Sequence, residues 1–77
     1  MNSPFDDPAK REAFFALAAR IFGVGRESLS ENTAKGDIAE WDSVNHLRLV
    51  MEAEAAFRVR YPLERIPALA RLSDFFD

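Results

Sequence analysis

The chain has 77 residues, 48% of them apolar and 30% charged, with no cysteine, one histidine and a net charge of −3. That size allows a single small domain with little stability to spare, and that composition excludes a disordered chain. Without Cys there is neither a disulfide nor a thiolate metal site, and one His leaves structural zinc unsupported, so no resident metal is expected.

The acidic excess is local. Asp37, Glu40, Asp42, Glu52 and Glu54 face only Arg48 between residues 37 and 54. Such a surface disfavours nucleic acid, whose phosphates need a basic face, and favours basic protein partners. No apolar run reaches membrane-spanning length, and Met1–Pro8 lacks the basic-then-apolar order of a signal peptide. The expectation is a cytoplasmic monomer without membrane contact.

In chain order, residues 1–6 read as a loose lead-in. Asp7-Pro8 is a helix start, a cap followed by Pro at the first helical position. The helix runs to about Phe22 and stops at Gly23. Phe14, Leu17, Ala18, Ile21 and Phe22 recur at helical spacing and form its core face. Phe15 lies off that stripe and either widens the buried face or stays partly exposed. Gly23 to Trp41 is a long, polar connection that needs anchors. Val24, Leu29 and Ile38 are the candidates, each contributing about 1.5–3 kcal/mol if fully buried.

Asp42 is a good N-cap and Ser43 sits at the tip behind it, where free N–H groups and the helix dipole favour negative charge. The helix continues from Val44 to Phe57, free of Gly and Pro. It carries two apolar stripes. Leu49, Val50, Ala53 and Phe57 suit a core, but a helix lying on a core needs only one stripe. Val44, Leu47, Met51 and Ala55 form the second. They serve as a docking patch or are covered by the long connection or a later element. After a turn at Arg58–Pro62, Leu63–Ile66 allows one short helical turn before Pro67, and Arg71–Phe76 a last short helix burying Leu72 with Phe75 or Phe76. Nothing alternates at period two, so no sheet is expected. The predicted fold is all-α: a single domain, residues 1–77, built as a small four-helix bundle with a long first loop and a short third helix.

Asp42-Ser43-Val44, with Leu47 and Met51 behind it, resembles the Asp-Ser-Leu signature of the acyl carrier protein family, the phosphopantetheine-binding carrier domains. The Ile21-Phe22-Gly23-Val24 turn, Phe57 and Tyr61-Pro62 fall at matching spacings, and the likeness covers roughly residues 14–76. It implies that Ser43 carries 4′-phosphopantetheine, whose thiol holds acyl groups as thioesters. Those acyl groups belong to fatty-acid, polyketide or related biosynthesis. The implied partners are a phosphopantetheinyl transferase and the acyl-loading and acyl-using enzymes.

In the family, the carboxylate at Asp42 helps hold the transferase's Mg²⁺, a role compatible with capping. Val44, Leu47, Met51, Glu52 and Trp41 are the partner-binding candidates. For Trp41 the alternative is closing the loop over the helices, and for Glu52, as for Glu40 and Glu54, a solvated surface. His46 either touches the arm or a partner, responding to pH, or pads the helix edge near Leu49 and Phe57. No group converges with it as a triad, so no catalytic residue and no enzyme activity are expected.

Asn45, His46 and Arg48 depart from the acidic or neutral residues common in the family, which hints at dedicated partners. Ala70 stands where the family caps its last helix with Thr, and the chain ends at Asp77, before the usual last apolar turn. Both favour a frayed C-terminus and modest stability. Two other functions stay open: a peptidyl or aminoacyl carrier, and a helical interaction module with Ser43 unmodified.

Overall fold

Two segments become α-helices in the computed structural model, which describes residues Ser3–Phe76: α1, Pro8–Phe22, and α2, Ser43–Phe57. α1 starts where the Asp7 carboxylate accepts the Ala9 N–H at 2.9 Å, with Pro8 opening the first turn. It ends at Gly23, whose φ of 70° is left-handed, a conformation that is strained for a residue with a Cβ. Phe15 widens the buried face of α1. The Arg26 guanidinium, held by Glu12, lies over its ring, 4.2 Å from the centroid.

The four-helix expectation is corrected, because among the described residues there are only these two α-helices. Leu63–Arg65 is a turn followed by a 3-10 turn at Ile66–Ala68, and the last element, Leu72–Phe76, is 3-10 throughout. Pro62 and Pro67 lack N–H groups, so the four residues between them cannot be extended into an i→i−4 ladder. Five residues at the end are too few for an α-helix to hold itself. Leu72 and Phe75 are placed there by burial, 0% and 1% exposed, and the shorter i→i+3 spacing accepts that placement. The all-α class stands. The one strand-like pairing among the described residues is an isolated antiparallel bridge between Ala34 and Arg71.

The lead-in is also different over Ser3–Asp6. Ser3 caps a 3-10 turn from its hydroxyl, Asp6 answers with its carboxylate, and Phe5 is 2% exposed. The Phe5 ring sits edge-on to Phe14 at 5.6 Å and to Phe57 at 5.1 Å, geometries that aromatic quadrupoles prefer. Phe14 in turn meets Phe75 and Phe76, so α1, α2 and both ends of the described chain share one aromatic core.

The long connection is anchored by Leu29 and Ile38, both buried, and by half-buried Val24. It is also sewn to the last element: Lys35 N–H donates to the Ala70 carbonyl, Leu72 N–H to Thr33 and Ser73 N–H to Glu31. Ala70 cannot cap, but the Asp74 carboxylate accepts the N–H groups of both Ala70 and Arg71 at 2.9 Å. The start of the last element is therefore closed from inside its first turn. Tyr61 is buried, donates its hydroxyl to the Phe75 carbonyl at 2.7 Å, and has its phenol pushed well above the ordinary range by that burial. No described helix is long and apolar enough to cross a membrane.

Candidate functional site

Ser43 is the first residue of α2 and is exposed. Asp42 starts the helix from the N-cap, its Oδ1 accepting the Asn45 N–H at 2.8 Å, and its carboxylate faces solvent. The Asn45 amide reaches back to the Glu40 carbonyl at 2.8 Å, tying the approach to the helix from the other side. Ser43 is thus an exposed hydroxyl on a capped and braced helix end.

Beneath it lies a node that holds three segments together. Trp41 Nε1–H donates to His46 Nδ1 at 2.9 Å, and His46 Nε2 is 2.7 Å from the Ile66 carbonyl oxygen. A carbonyl can only accept, so Nε2 carries the proton, Nδ1 is the acceptor and the imidazole is neutral. Burial pushes the His46 pKa below its ordinary value. The Ile66 carbonyl opposes this shift and the charge of Lys35 adds to it. The Trp41 ring is stacked on Phe22 at 5.4 Å and on His46 at 6.1 Å. Both imidazole nitrogens are engaged within the fold, so His46 does not act as a base toward Ser43.

A shallow groove runs beside Ser43, lined by Lys35, Leu47, Ile66 and Pro67. Leu47 and Ile66 also line a second groove between α2 and the segment that follows it, together with Met51, Tyr61 and Leu63. Val44 is 74% exposed, Leu47 51% and Met51 66%, so the second stripe of α2 is covered neither by the connection nor by the short turns. The stripe begins beside the hydroxyl, with Ser43 and Leu47 lining one groove, and runs on along α2.

Two partner-binding candidates are placed elsewhere. Trp41 is 4% exposed, because its indole completes the core between Phe22 and His46. It is therefore a support for α2 rather than a contact surface. Glu52 bridges Arg20 of α1 at 3.2 Å and Arg48 at 3.1 Å, so its charge is largely answered within the chain. Glu54 accepts the Tyr61 N–H at 2.9 Å, a structural role, while Glu40 stays exposed. His46 does not pad the helix edge. It is buried against Trp41 and Phe75. Ile66, Lys35 and Leu63 had no place in the sequence reading of the site. For Leu63, an isolated Leu after Pro62 was the available signal.

No protein-family model matches the chain, and no curated protein sequence matches it. What this end of the molecule offers is an accessible alcohol at a helix start, acids at Glu40 and Asp42, a nearby lysine, and an apolar track leading away. Were an arm bound through a phosphodiester, Ser43 would supply the attachment oxygen and Lys35, which lines the same groove, would oppose the phosphate charge.

Proposed function

We propose that the chain is an acyl carrier, with Ser43 as the attachment point of 4′-phosphopantetheine. The carrying observation is the exposure of the Ser43 hydroxyl at the capped first turn of α2, next to an uncovered apolar stripe. The chain has no thiol of its own, and the arm, when bound, supplies the one that holds an acyl group as a thioester. Asp42 keeps the helix start formed and leaves a carboxylate free to help hold the transferase's metal. The Trp41–His46–Ile66 node keeps Ser43 from moving when a partner docks, because it pins the approach, the helix and the following turn to one another. Val44, Leu47 and Met51 meet the enzymes that load and unload the arm, in a cytoplasmic setting.

The test is incubation with coenzyme A and a broad-specificity phosphopantetheinyl transferase, read by intact mass. Wild type gains one phosphopantetheine and Ser43→Ala gains none. An unmodified wild type, or a modified Ser43→Ala, overturns the proposal. A second reading, an interaction module with bare Ser43, is favoured by the 83% exposure of Leu63, which lies beyond Ser43's own groove.

A further inference from the structure

We infer that the groove between α2 and residues 58–66 docks an acidic, apolar segment of a partner protein, with Arg58 and Arg60 reading its carboxylates. This surface shares Leu47 and Ile66 with the groove beside Ser43 but does not rest on the modification of that serine. Its walls are Leu47, Met51 and Leu63, the latter two 66% and 83% exposed. Arg60 lines this groove and, with Arg58 and Met51, the adjoining one at the C-terminal end of α2. Both arginines are exposed, and no ion pair engages them among the described residues. Glu54 lines both grooves as well and accepts the Tyr61 N–H, and Glu64 is the one acid between residues 58 and 65, against Arg58, Arg60 and Arg65.

Arg58 adds an independent observation. It ends α2 with φ of 56°, the sole non-glycine residue at positive φ among those described. Glycine serves that position without strain, as Gly23 does at the end of α1. Arginine strains the backbone there, and no ion pair among the described residues engages its charge, although Glu54 lines the same groove. Local strain of this kind marks positions held for function, and a guanidinium beside an apolar groove suits carboxylates flanking a hydrophobic anchor.

The probe is a fluorescent 14-residue amphipathic peptide with Leu and Phe on one face and Glu on the other. The control replaces every Glu by Lys, and anionic phosphatidylglycerol vesicles form a third arm. The Glu peptide binds and shifts the amide resonances of Leu47, Met51, Arg60 and Leu63, while the Lys peptide binds at least about tenfold more weakly. Arg58→Gly raises Tm by roughly 4 °C through relief of strain yet weakens the Glu peptide. Leu63→Ser leaves Tm unchanged and also weakens it. Ser43→Ala accepts no arm and binds the peptide as wild type does, so this inference and the carrier proposal fail separately. Equal binding of both peptides, shifts elsewhere, no binding, retention on the vesicles, or an Arg58→Gly variant that binds normally would each overturn it.

Discussion

Trp41 gives its indole N–H to Nδ1 of His46, and this buried contact joins the end of the long connection to the first turn of α2. Protonation at Nδ1 would set two hydrogens against each other. Burial already holds the His46 pKa below 6.5, so on acidification the unfolded chain takes its proton first. The stabilisation is complete above pH 6.5 and is lost as pH falls below it, through the lower folded value. Urea midpoints between pH 7.5 and 5 should fall for wild type, and more steeply than for His46→Gln. Trp41, the only tryptophan, reports the transition by fluorescence.

The two stripes of α2 should separate cleanly in denaturation. Val44→Ser, Leu47→Ser and Met51→Ser alter exposed positions and change stability by about 0.5 kcal/mol or less. Leu49→Ala, at a site with no exposure, costs about 2–5 kcal/mol. Comparable losses on both stripes would contradict the packing of this helix.

Phe5→Ala should cost about 3–5 kcal/mol, since the ring contacts Phe14, Phe57 and Phe76 in the core. That is a large part of what a domain of this size has available, about 5–15 kcal/mol. A thermal melt within a degree of wild type would show that Phe5 is not part of the core.

Asp42 has two separable roles. Asp42→Asn keeps a good cap and should hold stability within about 0.5 kcal/mol, whereas Asp42→Ala loses about 0.5–2 kcal/mol. If the carboxylate also helps the transferase's metal, both variants are phosphopantetheinylated more slowly. A normal rate for Asp42→Asn would leave Asp42 as a cap only.

The bounds of α1 and α2 were legible because each rests on a local rule: Asp7-Pro8 and Asp42 at the starts, Gly23 at one end. The end of the other helix at Phe57 was also placed, but Arg58 closes it in the conformation usually taken by glycine, which no residue type announced. The short elements near Leu63 and Leu72 were misread as helices of a bundle because four to six residues hold too little local preference. Burial of Leu69, Leu72 and Phe75 decided their form instead. Phe5 lacked a periodic neighbour and looked like part of a tail. The role of His46 depends on a carbonyl twenty residues later in the chain, and that of Glu52 on Arg20 from the other helix. Such distances leave no trace in spacing.

Ser3 donates its hydroxyl to the Phe76 carbonyl at 3.3 Å, and Phe5 packs on Phe57 at the far end of α2 from Ser43. Both ends of the described residues therefore share one pole, about 20 Å along the helix from the hydroxyl at about 1.5 Å per residue. A version spliced into a loop of a host protein, or clamped to a solid support through both ends, would still offer its serine outward to whatever approaches.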